Sequence, residues 1–400
     1  MNLVYYCLPG HRLASAWLYV KVGWRHEPPE KRGLSHFLEH ALYLGSRRYP
    51  DVDAATGRYG VHFDGPTLAE ATGFGFTCLK EDLPHLLKVL LDMVFHPCLE
   101  PKAIEGERLI VLGAVNQESD YPAWELVRAR VDDLIFETDE VESLGTAESI
   151  SRLAVADLRD WHRRYYHAGN AILAVAGDVA EETIRQAMKA VPAGEERPAM
   201  VTVSHASRFY RKAARIATEE MFVGFKFPPP SDPVPLELLQ ILLGNYPQSR
   251  LYRRLRREEP LAYMVESSLR TLSDAGRLGL YLGVTRPAQA RRAMQILFEL
   301  LARLREEGVD EEELAWARRV YRLGLCTQAC YPETAATFLG ERSLWGEAQD
   351  FAWLEERLEK VELEELSRLA RRILRKENCY IGLIGPEVEW ESRELISCLS

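Results

Sequence analysis

Two spacings of apolar residues alternate along the chain, and their alternation divides it into strands and helices. In the first half, apolar runs at 14–22, 74–80 and 171–177 predict strands, while recurrence every three to four residues predicts helices over 33–44, 83–96, 102–118, 123–136 and 156–166. The second half predicts strands at 219–227, 261–270, 277–284 and 379–384, with helices at 235–243, 288–306 and 311–323. Strands mixed with helices in this order predict an α+β chain whose mainly antiparallel sheets are each covered by helices, on one side.

The pattern also repeats. Residues 156–178 and 364–386 share one plan of amphipathic helix, polar turn, apolar strand and glycine. Leu158 matches Leu366, Arg163 and Arg164 match Arg371 and Arg372, Asn170 matches Asn378, and Gly177 matches Gly385, all 208 positions apart. Several matches at one offset point to an internal duplication. Pro192, Gly194, the charged trio Glu195 to Arg197 and Pro198 interrupt both periodicities, so two homologous domains are expected at 1–190 and 207–400, joined by a linker at 191–206.

Composition narrows the chemistry. Four hundred residues, 47% hydrophobic, suffice for sizeable cores, and a net charge of −10 argues against nucleic acid as a partner. The dense basic run Arg253, Arg254, Arg256 and Arg257 reads on its own as a helix face balanced by Glu258 and Glu259. No apolar stretch reaches membrane-spanning length and the first ten residues do not read as a signal peptide, so a cytoplasmic protein without a membrane partner is expected. Seven scattered cysteines fit reduced thiols rather than a disulfide framework.

One short motif carries the function. His36-Phe37-Leu38-Glu39-His40 places two imidazoles four residues apart near the start of a predicted helix, about 40° apart in azimuth, so both can face one metal ion. The HxxEH order is that of the inverted zincins, in which the two histidines bind zinc and the glutamate is a general base toward metal-activated water. The equivalent helix of the second half, 235–243, is plainly apolar and carries no such motif. Only the first half is equipped for hydrolysis.

Over nearly its whole length the chain resembles the pitrilysin/insulinase family of inverted zincins, and most of all its short two-domain, processing-peptidase-like members. The resemblance rests on GLSHFLEHALYLG at 33–45, a glycine-led strand region at 60–72, ERLIVLGAV at 107–115, LGTAESI at 144–150, YYHAGNAILAVAGDV at 165–179 and SRLYRRLRREEPLAY at 249–263. It implies a half-clamshell zinc peptidase that closes around an extended peptide as a homodimer, or as a heterodimer with a related subunit. It further implies zinc on His36 and His40, Glu39 as general base, Glu107 as an acidic residue on a helix crossing the site, and Arg256 with Tyr263 as a grip on the substrate backbone.

The third zinc ligand departs from the pattern. The family places a glutamate seven residues after the position of Glu107, where this chain has Ala114 with Gly113 beside it. Alanine coordinates nothing. Glu118, which returns to nearly the azimuth of Glu107, and Asp64, which stands where the family usually has asparagine, are the candidate substitutes. Failing both, the expectation becomes a catalytically impaired subunit that pairs with an active relative and helps bind substrate.

Overall fold

The computed structural model describes residues 1–118, 121–140, 143–344, 346 and 350–386, with the side chains of 116–118 excepted. The chain forms two compact units, and each draws on both halves of the sequence. Unit 1 gathers Met1–Asp120, Glu142–Val201 and Cys326–Asp350, while unit 2 takes Tyr121–Val141, Thr202–Leu325 and the chain from Phe351.

Unit 1 holds strands β1 (Asn2–Cys7), β2 (Leu13–Val20), β3 (Thr72–Leu79) and β4 (Ala171–Gly177). Its helices are α1 (Leu34–Leu42), α2 (Val52–Gly57), α3 (Leu83–Phe95), α4 (Pro101–Glu118), α6 (Ala147–Arg152), α7 (Val155–Tyr165), α8 (Glu181–Met188) and α13 (Pro332–Arg342). Unit 2 holds strands β5 (Phe209–Ala213), β6 (Glu219–Phe227), β7 (Ala262–Thr271), β8 (Gly276–Val284) and β9 (Cys379–Gly385). Its helices are α5 (Ala123–Phe136), α9 (Val234–Leu243), α10 (Arg250–Tyr252), α11 (Ala290–Glu307), α14 (Phe351–Glu359) and α15 (Leu363–Ile373). Helix α12 (Glu311–Ala329) begins in unit 2 and ends in unit 1.

The two sheets share a plan, with strand orders β1-β4-β2-β3 and β5-β9-β6-β8-β7. In each, the first pair in that order is parallel and the rest are antiparallel. The repeat read from sequence is matched in structure: α7 and α15, and β4 and β9, begin and end 208 residues apart. Its asparagines do the same job. Asn170 Nδ2 donates to Tyr165 O at 3.1 Å and Asn378 Nδ2 to Ile373 O at 3.0 Å, each satisfying a carbonyl left over at the end of the preceding helix.

Strand period two assigns the faces of the first sheet. Ala14, Ala16, Leu18 and Val20 of β2 join Phe37, Leu38, Leu86, Leu90 and Leu158 in the main core beneath α1, α3 and α7. Trp17 and Tyr19 point the other way, and α13 covers that face over β2 and β4. Gly340 makes the approach possible, because a Cβ there would lie 2.7 Å from the Tyr19 ring and 2.9 Å from Ala174 Cβ. In unit 2, α5 packs over β6 and β9, against Gly224 and Gly382, where an added Cβ would lie 2.6 Å from Ile135 and from Val131.

Helices thus lie on both faces of the first sheet, a correction to the one-sided cover expected from sequence. A cut at 191–206 also leaves two exchanges undescribed. Helix α5 precedes that cut yet packs in unit 2, and α13 follows it yet packs in unit 1. A buried ionic cluster secures α5: Arg277 donates from Nε and Nη2 to Asp132 at 2.8 and 3.0 Å, and Arg270 Nη1 donates to Asp132 at 2.9 Å.

The glycine-led stretch at 60–72 is not a continuous strand. Among the described residues it makes only isolated bridges, Asp64 with Gly75 and Thr67 with Thr72, interrupted at Pro66, which has no N–H to pair. The six described cysteines are all free thiols. No helix among the described residues is long and apolar enough to cross a membrane.

Candidate metal centre

Helix α1 carries the motif, and its packing decides which side chains reach the cleft. Leu34, Phe37, Leu38, Ala41 and Leu42 follow the helical repeat into the core, which turns His36, Glu39, His40 and Tyr43 toward a cleft of about 500 Å3. The helix starts at Gly33, in the left-handed region at φ 85°, and glycine has no side chain to cap the first amides. Glu27 caps them instead. Its carboxylate accepts from Gly33 N at 2.7 Å and from Ser35 N at 2.5 Å.

The two imidazoles stand edge to face with ring centres 4.8 Å apart. His36 Nδ1 lies 3.3 Å from Leu144 O, and His40 Nδ1 lies 2.9 Å from Glu107 Oε1. A carbonyl and a carboxylate only accept, so both rings are assigned the tautomer with hydrogen on Nδ1, leaving an Nε2 lone pair on each. Ligand atoms of His36, Glu39 and His40 lie within 4.8 Å of one another, the one such group among the described residues. The two imidazole nitrogens suit zinc, and the Glu39 carboxylate stands beside them as a base.

Electrostatics distinguish the three groups. Burial pushes His36 down to about 4, with the neighbouring His40 adding to the effect. His40 is shifted up, because its hydrogen bond with Glu107 outweighs the cost of burial. Burial pushes Glu39 up to about 7; His40 opposes the rise, while the charges of Asp64 and Glu107 add to it. A carboxyl held that high is poised to exchange a proton near neutrality.

The other candidate residues fall in different places. Glu107 serves His40 directly. Ala114 follows it on α4 and is half-buried, with no donor atom to offer. The side chain of Glu118 lies outside the described residues. Asp64 lines the cleft beside Tyr43 and His62, anchored by Asp64 N donating to Gly75 O at 3.0 Å and Gly75 N to Asp64 O at 2.7 Å. Its Oδ1 accepts from Gly65 N at 2.8 Å, and its carboxylate is outside the close group of His36, Glu39 and His40.

Arg256 and Tyr263 belong to unit 2. After α10 the chain widens into a π-helical turn over Arg253–Glu258, a form often associated with functional positions. The Arg256 guanidinium lies 4.9 Å from the ring centre of Tyr263 and 5.4 Å from that of Tyr252, so aromatic faces rather than a carboxylate support it. Tyr263 is 65% exposed. Arg253 and Arg254 pair with Glu258, and Arg254 also with Glu259, as the balanced helix face predicts.

Sequence reasoning missed Glu27, Tyr43 and the Leu144 carbonyl. Only Glu27 left a trace: a helix beginning after glycine, without Ser, Thr, Asp or Asn as its cap, needs an acceptor from elsewhere. A backbone carbonyl leaves none. The LGTAESI segment was recognisable, but its part is played by Leu144 O and by Gly145, where a Cβ would sit 3.0 Å from Gly33 Cα.

Known proteins resemble the chain in sequence and in fold. The model for the insulinase family, peptidase family M16, matches residues 5–143, and the model for the peptidase M16 inactive domain matches 152–321. An uncharacterized zinc protease of Streptomyces coelicolor is 25% identical over 407 residues, covering 96% of this chain and 88% of the relative. The uncharacterized zinc protease YmxG of Bacillus subtilis is 25% identical over 395 residues, covering 94% of both chains. In fold, the crystal structure of a protease from Helicobacter pylori matches with a TM-score of 0.82 at 18% identity, covering 94% of this chain and 95% of that one. With both family models matched in order along one chain, the protein belongs to the insulinase family of peptidases, family M16.

Proposed function

We propose that the chain is a zinc-dependent peptidase that hydrolyses extended peptides. The observation that carries this reading is the close grouping of His36, Glu39 and His40, whose ligand atoms lie within 4.8 Å of one another, with an Nδ1 partner on each imidazole that leaves Nε2 for a metal. His36 and His40 would hold zinc through Nε2, with Glu107 fixing the ring of His40. Bound zinc supplies Lewis acidity toward a scissile carbonyl and toward water. Glu39 takes the proton from the attacking water onto its carboxylate and returns it to the leaving amine. Arg256 and Tyr263 are assigned hydrogen-bond donation to the peptide backbone, since the guanidinium is stacked on aromatic rings and the phenol is exposed, and both groups are hydrogen-bond donors.

Glu118 and Asp64 remain the candidates for the third protein ligand. The second reading, a catalytically impaired subunit partnered by an active relative, is favoured by Ala114. The half matched by the inactive-domain model carries no HxxEH. In either reading the chain works on peptides in the cytoplasm, as a homodimer or beside a related subunit.

Metal analysis of the purified chain, with peptide cleavage assayed alone, tests the choice. The peptidase reading expects close to one zinc per chain, loss of that zinc in His36→Ala, and loss of cleavage with zinc retained in Glu39→Gln. Cleavage that arises only after a second chain is added would establish the subunit reading instead.

A further inference from the structure

The first turn of α1 is held from outside the helix, and the same turn fixes a metal-facing ring. Glu27 lies nine residues before His36, is 4% exposed, and satisfies two helix-start amides where a serine or threonine cap would satisfy one. Its charge also sits at the end of the helix whose partial charge is positive. Burying a carboxylate is costly, and burial pushes this one up to about 7 even though both amides and Arg32 oppose the rise.

The surroundings of that turn are equally constrained. A Cβ on Gly33 would lie 2.7 Å from Leu144 O, and one on Gly145 would lie 2.9 Å from Arg32 O. The backbones at 32–33 and 144–145 are therefore in direct contact. Ser35, whose amide Glu27 holds, immediately precedes His36, whose Nδ1 meets Leu144 O. A rotation of the first turn away from Glu27 would break that contact and swing Nε2 off the cleft.

We infer that Glu27 is a positioning residue for the metal centre, holding the first turn of α1 so that His36 meets Leu144 through Nδ1 and presents Nε2 to zinc. The inference rests on the zinc reading proposed above. Glu27 touches neither metal nor substrate, and acts through Gly33 and Ser35.

The test compares the full chain with Glu27→Gln, measuring the zinc dissociation constant by chelator competition and the visible spectrum of the cobalt(II) form. The amide of glutamine keeps one acceptor and sets an NH2 group against the other amide, so one cap is lost. Zinc should bind roughly 10- to 100-fold more weakly, the range for lost support of a metal ligand, with an altered cobalt spectrum. Asp132→Ala, a variant in unit 2, serves as a control that lowers stability without moving either readout.

An unchanged dissociation constant and spectrum in folded Glu27→Gln overturns the positioning role, even if its melting temperature falls, and leaves the zinc reading intact. Wild-type chain that takes up no zinc overturns the zinc reading and the inference together. If Glu27→Gln does not fold, Glu27→Asp carries the test. It keeps the charge but shortens the reach, so weakened zinc binding supports the role and unchanged binding overturns it.

Discussion

Replacing Asp132 by alanine removes the anion that ties α5 into unit 2. Both carboxylate oxygens are used: Arg277 donates to each, and Arg270 to one. The Asp132 side chain is fully buried and that of Arg277 is 2% exposed, so Asp132→Ala leaves a guanidinium charge out of water with Ser268 and the face of Phe222 as its remaining partners among the described residues, and no anion. Arg270 keeps Glu140. Removing one member of a buried pair costs about 3–5 kcal/mol, most of it the stranded charge rather than the lost attraction. With a urea slope of about 2–3 kcal/mol per molar, the midpoint for unit 2 should fall by about 1–2.5 M.

The stranded charge makes a second, sharper claim. Arg277→Met added to Asp132→Ala removes that charge and should restore at least roughly 1 kcal/mol, whereas a loss of simple packing would deepen with two truncations. Urea titration by circular dichroism, with hydrogen exchange read at the α5 amides, supplies both numbers. Acid should narrow the deficit. Burial raises the Asp132 carboxyl, but Arg277 and Arg270 outweigh it and hold the group below the usual range, so its contribution is present above the unfolded value near 3.9 and is lost as pH falls through the folded value. A cost below about 1 kcal/mol, or a double variant no more stable than the single, would refute the reasoning.

Three further outcomes are expected. Asp133, pushed up to about 7 by burial, sheds its proton sooner in the unfolded chain, so its contribution is whole below about 4 and declines as pH rises toward 7; Asp133→Asn should flatten that decline, and equal slopes in stability between pH 4.5 and 8 would count against it. Gly340→Ala places a methyl 2.7 Å from the Tyr19 ring and should cost unit 1 about 1–3 kcal/mol in chemical denaturation, against no change if α13 can lift freely. Ala114→Glu should raise both zinc affinity and peptide turnover; calorimetry showing no gain would mean that another carboxylate already completes the site.

Much of the candidate site was legible because it is written in side-chain type at fixed helical spacing. His36, Glu39 and His40 declare themselves, and the flanking Leu34, Phe37, Leu38 and Leu42 say which way they face. The strands β2, β3, β6, β8 and β9 were legible as apolar runs. β1 and β5 were not, since these strands at the parallel edges are mostly half-buried or exposed and show no clean alternation. Nor could periodicity say where α5 and α13 dock, because an amphipathic helix records that it has an apolar face without recording which sheet receives it. The absence of a ligand at Ala114 was plain; the chemistry that answers it depends on contacts between distant segments.

The exchange of α5 and α13 sets how this chain can be divided. Cleaved within 191–206, the N-terminal fragment would keep a helix whose seat lies on the other fragment's sheet and would lack the one that shields Trp17 and Tyr19. Neither piece is a finished domain, and a split gene for this protein would yield obligate companions, each soluble only while the other lends it a lid.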